Sequence, residues 1–136
     1  MLSRRRDERV ISHEYAVAGA SHRLAERDDL DAHPRVVRSR RHRRDVDVYG
    51  DETGVVTIGR GLVDRLEVSV EVFDGEVAHA GRRLIAEALG RVPAGEIVFA
   101  QVAPGNAASL RAFLSCGFAP IGAETLLLPA RNWHLD

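Results

Sequence analysis

The residues of this chain best suited to proton transfer are two carboxylates inside an otherwise apolar segment, RLEVSVEVF. Because side chains alternate between the two faces of a strand, one face of this segment carries Glu67, Ser69 and Glu71. Burying carboxylates costs free energy unless they line a wet cleft, where Glu67 or Glu71 could act as a general base. The alternative is that this face is solvent-exposed, or that both carboxylates pair with Arg60, Arg65 or neighbouring residues.

A second polar position stands at the head of an apolar-striped segment, PGNAASLRAFLSCGF. Asn106 is a candidate N-cap, because its side chain can accept a hydrogen bond from the first turn of a helix, and Gly117 is the predicted helix end. Ser109, one turn past Asn106, is the nearby hydroxyl, whereas Cys116 is predicted to be a buried, inert thiol. The predicted buried face of the helix comprises Leu110, Phe113 and Leu114.

Six arginines and one histidine lie within the segment RVVRSRRHRR, residues 35–44. Such a run could bind nucleic acid or the phosphates of a ligand. A solvated helix face, or a surface for an anionic partner, is the favoured interpretation, because no aromatic residue interleaves the run and the net charge is −1. We therefore predict that the chain does not bind nucleic acid. The six histidines are scattered without metal-site spacing, so we also predict no metal site.

These residues need a scaffold, and the sequence pattern predicts most of it. Alternating apolar residues predict three strands, in RRDVDVYGD, TGVVTIGRG and RLEVSVEVF, with a turn from Gly50 to Gly54 between the first two. The segment GEVAHAGRRLIAEALG predicts a helix that ends at Gly90, and EIVFAQV predicts a short strand buried on both faces. The segments FAPIG and AETLLLP are predicted as closing strands.

Residues 1–42 are predicted to form the helical N-terminal part of the same domain. One amphipathic helix is predicted through Ala16, Val17, Ala20 and Leu24, and a second begins at Pro34; no early strand is predicted. The strand–helix–strand passage from residue 66 to residue 102 predicts a parallel strand pair. The predicted fold class is therefore mixed α/β (α+β), a single domain with a central mixed sheet flanked by helices.

Composition bounds the class of protein. A chain of 136 residues with 45% hydrophobic and 29% charged residues predicts one soluble globular domain. One cysteine excludes an internal disulfide, and together with the lack of a secretory signal this predicts a cytoplasmic protein. No apolar run is long enough to span a bilayer, so no membrane association is expected.

The segment from Leu66 to Glu124 resembles the GNAT superfamily of N-acetyltransferases, which bind acetyl-CoA and acylate amines. In that family a strand runs into a Gly-rich turn and a helix, and a further strand leads to a helix that opens with Asn and closes with Gly-Phe. Asn106 and Gly117-Phe118 match the second element, and Gly81-Arg82 matches the end of the Gly-rich turn. The resemblance implies that residues 43–136 form an acyl-CoA-binding core.

The resemblance also implies roles for individual residues. The backbone near Val70 and Val72 would polarise the thioester carbonyl. The strand carboxylates would accept the amine proton, and Ser109 would donate a proton to the departing thiolate. The expected catalytic residues are Glu71, Glu67 and Ser109. The expected acetyl-CoA contacts are Val70, Val72, His79, Ala80, Gly81, Arg82, Asn106 and Phe113.

Three positions depart from the family pattern. Glu76 stands where a cation is expected near the pyrophosphate, His79 stands where a glycine is expected, and Phe113 replaces a frequent proton-donating tyrosine. Two functions therefore stay open. The first is acetyl transfer from acetyl-CoA to an amine of a small molecule or protein. The alternative is a non-catalytic GNAT-like binding or interaction module. An exposed sheet edge after ETLLLP would allow a homodimer.

Overall fold

The computed structural model describes residues 1–5, 24–74 and 77–123. Within these ranges the strands are β1 (Leu2–Arg5), β2 (Ala25–Glu26), β3 (Arg44–Gly50), β4 (Gly54–Arg60), β5 (Leu66–Val72), β6 (Ile97–Ala100) and β7 (Ala119–Pro120). The α-helices are α1 (Pro34–His42), α2 (Val77–Arg91) and α3 (Ala107–Ser115), and a 3-10 turn at Leu62–Asp64 connects β4 to β5.

The strands form one sheet in the order β2-β3-β4-β5-β6-β1-β7. All neighbours are antiparallel except β5 and β6, which are parallel and are connected through α2. The described residues thus confirm the predicted mixed α/β class and the predicted parallel pair. They also confirm strands in the segments assigned to β3, β4, β5 and β6, and helix α1 beginning at Pro34.

Helices cover both faces of the sheet, which carry apolar clusters of unequal size. On one face α1 packs through Val36 onto Val48 and Val55. On the other face α2 and α3 enclose the larger core. That core includes Val56, Ile58, Leu66, Val68, Leu84, Ile85, Ala88, Val98, Ala112, Phe113, Cys116 and Phe118. The predicted alternation of β5 is confirmed, since Leu66 and Val68 belong to this core and the carboxylates face α1.

The strand β1 was not predicted, and it lies between β6 and β7 with Leu2 paired to Ala100 on one side and to Pro120 on the other. Its segment, LSRR, has a single apolar residue, so no alternation marks it, yet Leu2 is buried in the core. The predicted first helix is also wrong at its described end, because Leu24 precedes strand β2. Its other positions, Ala16, Val17 and Ala20, lie outside the described residues.

Two details of the predicted helices are wrong. Helix α2 continues through Gly90 to Arg91, and Gly90 lacks the positive φ of a glycine cap. In α3 the buried face is Ala112 and Phe113, whereas Leu110 and Leu114 are about 40% exposed, at 38% and 41%. The predicted end of α3 is confirmed, because Gly117 adopts φ +83°, a conformation that favours glycine.

Strand β6 is less enclosed than predicted, because Ile97 is exposed while Val98 and Ala100 are fully buried. The last predicted strand, AETLLLP, begins at Ala123 and otherwise falls outside the described ranges, as does Glu76. Within those ranges no helix is both long and apolar enough to cross a membrane.

The turn between β3 and β4 is organised by a carboxylate. Asp51 Oδ1 accepts hydrogen bonds from the backbone N–H groups of Thr53 (2.8 Å) and Gly54 (3.3 Å), and Asp51 Oδ2 accepts one from Arg83 of α2 at 2.8 Å. Partial desolvation raises the pKa of Asp51, but these hydrogen bonds outweigh it and hold the pKa below its ordinary value of 3.8.

We expect Asp51→Asn to destabilise the fold by about 1 kcal/mol at neutral pH, because charged hydrogen bonds to the turn and to Arg83 are lost. A carboxyl whose pKa is lowered on folding stabilises the native state above its unfolded pKa. That contribution disappears as the pH falls through the folded value, below 3.8. Urea unfolding across this pH range checks the prediction, with the exposed neighbour Glu52→Gln as control. An unchanged difference at low pH would contradict it.

Candidate active site

A gap opens in the sheet where the two parallel strands separate. The pairing of β5 with β6 covers Leu66 to Val68 and ends at the Val68–Ala100 pair. Beyond that point β5 continues to Val72, while the chain after β6 leaves the sheet toward α3. Strands that diverge in this way leave a space between the carboxyl end of β5 and the start of the following helix, a position where α/β proteins bind ligands.

That space is a cleft of about 160 Å³ between β5, α2, α3 and the start of α1. Its lining combines apolar walls with a few polar groups, as small-molecule sites usually do. The lining residues are Arg35, Val70, Glu71, Val72, Gly81, Ile85, Asn106, Ser109, Ala112 and Phe113.

The backbone of β5 supplies hydrogen-bond donors to this cleft. The N–H of Phe73 donates to the Thr53 carbonyl, on the β4 side of the strand. Successive backbone groups of a strand point in opposite directions, so the N–H groups of Val70 and Val72 point away from β4, toward the gap. A strand N–H group that points into such a space can donate to a developing oxyanion.

The charged residues of the cleft are Arg35 and Glu71, and they form an ion pair. Arg35 Nε donates to Glu71 Oε2 at 2.6 Å, and both side chains are about one-third exposed, at 36% and 38%. His33 Nδ1 accepts a hydrogen bond from the Arg35 backbone N–H, so its proton is on Nε2, which lies 3.8 Å from Glu71 Oε1. The Glu71 carboxylate is thus held at the cleft by two basic side chains while it stays accessible to water.

The ion pair is one of three polar contacts between α1 and the carboxylate face of β5. Arg35 and Ser39 on α1 and Arg43, which caps its C-terminus, follow one another at four-residue spacing. Arg35 contacts Glu71, Ser39 reaches Ser69 through the hydroxyl of Thr57, and Arg43 Nε donates to Glu67 Oε2 at 2.8 Å. Four helical residues rise about 6.0 Å and two strand residues about 6.6 Å, so the contacts remain in step.

The two strand carboxylates have different surroundings. Glu67 is 5% exposed and accepts hydrogen bonds from Arg43 at 2.8 Å and from Arg65 at 3.0 Å. It is not among the residues that line the cleft, and it lies roughly 13 Å from Glu71 along the strand. The sequence analysis had left open that the carboxylates of this face form ion pairs with arginines. Glu67 does so, with Arg65 and Arg43.

The structure brings together, around the cleft, seven of the expected site residues. One of them, Asn106, has two roles. Its side-chain oxygen accepts the Ser109 backbone N–H at 3.1 Å, so it caps α3 and also lines the cleft. Phe113 forms the cleft floor and packs edge-on against Phe118, with ring centroids 5.0 Å apart. The seven residues are Val70, Glu71, Val72, Gly81, Asn106, Ser109 and Phe113.

Three expected cofactor contacts lie outside the cleft. His79 and Arg82 are exposed on the first turns of α2, and Ala80 is partly buried there. They are close in sequence to the positive end of the helix dipole, where an anion is stabilised, but they do not contribute to the cleft walls. Contacts of these residues with a ligand would therefore involve its solvent-exposed part.

Sequence reasoning missed the cleft residues Arg35, Ile85 and Ala112. The arginine could have been found, because the spacing of Arg35, Ser39 and Arg43 mirrors the spacing of the polar residues in β5. Ile85 and Ala112 carried no such signal. An apolar helix residue lines a cleft only where a neighbouring strand diverges from the sheet, and otherwise it belongs to the core.

The arginine run is largely neutralised by nearby carboxylates. Arg35, Arg40, Arg43 and Arg44 form ion pairs with Glu71, Asp31, Glu67 and Asp64, respectively. In the part of the chain that the structure describes, no cluster of three or more His, Cys, Asp or Glu side chains could hold a metal ion. The absence of metal and nucleic-acid binding remains a prediction.

Comparison with protein-family models, with curated proteins and with solved structures gave no match to this chain. The functional argument therefore depends on the geometry of the cleft and on the sequence motifs that line it.

Proposed function

We propose that this chain is an N-acyltransferase that transfers an acetyl group from acetyl-CoA to an amine. The observation that carries the proposal is the cleft at the separation of β5 and β6. It combines the N–H groups of Val70 and Val72, the Glu71 carboxylate and the Asn106-headed helix in one small space. These are the groups that the resemblance to GNAT acetyltransferases assigns to thioester binding and amine deprotonation.

The chemistry requires three elements at one place. The amine nitrogen forms a bond to the thioester carbonyl carbon, the carbon–sulfur bond breaks, and the thiol leaves with a proton. An alkylamine has a pKa of about 10.4, so it must lose a proton before it attacks near neutral pH. A carboxylate or a carboxylate-bound water takes that proton.

The residues of the cleft divide these tasks. Glu71 accepts the amine proton, directly or through water, because it is the carboxylate of the cleft and is partly exposed. A backbone N–H group, that of Val70 or that of Val72, stabilises negative charge on the carbonyl oxygen. Ser109 is the cleft hydroxyl that can supply a proton to the thiolate, since Phe113 has none to give. Glu67 has no part in this scheme, because it lies outside the cleft.

The second candidate is the non-catalytic GNAT-like module. It is favoured by the contact between Glu71 and Arg35, which occupies one oxygen of the proposed base. It is also favoured by the placement of His79 and Arg82 outside the cleft. Such a module would bind its partner without turnover.

Gly81 allows a direct test of acetyl-CoA binding. A Cβ added at Gly81 would meet Ala112 Cβ at 3.6 Å, an ordinary contact, whereas a large side chain would fill the cleft. We expect acetyl-CoA at 100 times its dissociation constant to stabilise the wild-type fold by about 2.7 kcal/mol. Thermal unfolding should show this shift for Gly81→Ala as well, and should show none for Gly81→Trp.

Gly81→Ala is the matched control, and it should itself raise stability by about 1 kcal/mol, because alanine is the better helix former. Circular dichroism of Gly81→Trp verifies that this variant unfolds cooperatively before its ligand response is interpreted. A full shift in Gly81→Trp would place the ligand elsewhere on the chain. A flat wild-type response, repeated by calorimetry, would reject acetyl-CoA as a ligand and leave the non-catalytic alternative.

A further inference from the structure

The Arg35 guanidinium has more hydrogen-bonding capacity than its contacts use. Its Nε is bonded to Glu71, but among the described residues no acceptor contacts its two terminal amino groups. Those groups carry four N–H bonds in a planar fork that matches a carboxylate. Because Arg35 lines the cleft beside the proposed base, this fork is available to a molecule that occupies the cleft.

The charge balance of the cleft limits what such a molecule can be. Arg35 and Glu71 cancel one another, and the other described residues of the lining are uncharged. An amine with further positive charges would be repelled by Arg35, and Glu71, a few ångströms away, repels a phosphate dianion more strongly than it repels a single carboxylate. An acceptor with one carboxylate and one amine leaves the cleft neutral and occupies the free donors.

The distance between the two charged groups limits the acceptor further. The Arg35 Nε and the Glu71 oxygen are only 2.6 Å apart, so a carboxylate on the fork lies close to the proton acceptor. An acceptor whose amine and carboxylate are joined by a short chain can therefore contact Glu71 and the terminal amino groups of Arg35 together. Free amino acids have this arrangement, whereas a lysine side chain in a protein does not.

Building on the acetyltransferase function proposed above, we propose that the acceptor is a free amino acid whose carboxylate binds the terminal amino groups of Arg35. The amine then lies beside Glu71, and the acetyl group is transferred to it. The product is an N-acetyl amino acid together with the free thiol of CoA, and the amine proton passes to Glu71 or to water.

The test compares amino acids with their amides, which match them in size but lack the carboxylate. Release of free thiol from acetyl-CoA is measured for each standard amino acid and its amide with the full chain. We expect kcat/KM to be higher for the acid by about tenfold or more, because charged hydrogen bonds to arginine are lost in the amide. Thermal unfolding with each compound, without acetyl-CoA, gives a binding readout that needs no turnover.

Variants assign the preference to Arg35. Arg35→Gln and Arg35→Lys should reduce the ratio of acid to amide by about tenfold, since neither side chain offers the two-pronged charged fork. Arg38→Gln is the control, because Arg38 is an exposed arginine on the same helix, without a partner among the described residues and outside the cleft. It should keep the wild-type ratio.

Each outcome decides between the premise and the inference. If acetyl-CoA binds and amides are acetylated as readily as acids, the amino-acid acceptor is wrong while the acetyltransferase function stands. The same holds if the preference survives in both Arg35 variants. If acetyl-CoA does not bind, the proposed function fails and this inference fails with it.

Discussion

Glu71→Gln should lower kcat for acetyl transfer by roughly 10²–10⁴ while the affinity for acetyl-CoA is retained, because the amide cannot accept a proton from the amine. The substitution keeps the size of the side chain, and the Glu71 side chain is partly exposed, so the fold should tolerate it. Turnover is measured from the release of free thiol, and the affinity for acetyl-CoA is measured by calorimetry. The two quantities together separate loss of the base from loss of the cleft.

The control for this experiment is Asp74→Asn, which removes an exposed carboxylate two residues beyond β5 and should leave both quantities unchanged. A Glu71→Gln variant with wild-type kcat would remove Glu71 from the proposed mechanism. Equal losses of kcat and of acetyl-CoA affinity would instead assign Glu71 to the architecture of the cleft through its pairing with Arg35.

Glu67→Ala should have its main effect on stability, with a loss of about 3–5 kcal/mol. The substitution takes from Arg43, whose side chain is only 10% exposed, the carboxylate that pairs with it, and it also removes one partner of Arg65. Uncompensated buried charge is far more costly than the loss of a surface pair. Urea unfolding of the purified variant measures the effect, and a variant that does not fold at all meets the same prediction.

The matched control is Glu96→Gln, which removes the carboxylate from the more exposed ion pair with Arg60. Such pairs contribute about 0–1 kcal/mol. A Glu67→Ala cost no larger than the Glu96→Gln cost would contradict a structural role for Glu67. The double variant Glu67→Met with Arg43→Met should recover part of the lost stability. The second substitution removes the arginine charge that the loss of Glu67 would leave without its carboxylate.

The contrast between Glu67 and Glu71 shows how far the sequence can be interpreted. Alternation along β5 predicts that both carboxylates share a face, and this is confirmed. It does not predict which residues cover that face, because Arg43 is 24 positions away from Glu67 and belongs to a different element. The same pattern thus produced a buried structural group at one end of the strand and a cleft residue at the other.

Helix α3 illustrates a second limit. Its cap at Asn106 and its end at Gly117 were predictable, because both depend on local backbone geometry. Its buried face was predicted only in part: Phe113 and Cys116 are buried as expected, but an apolar stripe can be drawn through Leu110 and Leu114 or through Ala112 and Cys116. The packing of α2 against α3 selects the second stripe, and no local pattern contains that information.

Strand β1 has partners that lie far along the chain in sequence. Arg4 donates a hydrogen bond to the Cys116 carbonyl, 112 residues further along the chain, and β1 has β6 and β7 as its neighbours in the sheet. A ribosome adds roughly 5–20 residues per second, so β1 is synthesised several seconds before its partners exist. Strands β2 to β6 can then assemble with one another before β1 docks. Until β1 docks, the outer edge of β6 stays open. An open edge accepts the same strand from any copy of the chain, so exchange of β1 between two molecules is the misassembly to which this topology is most exposed.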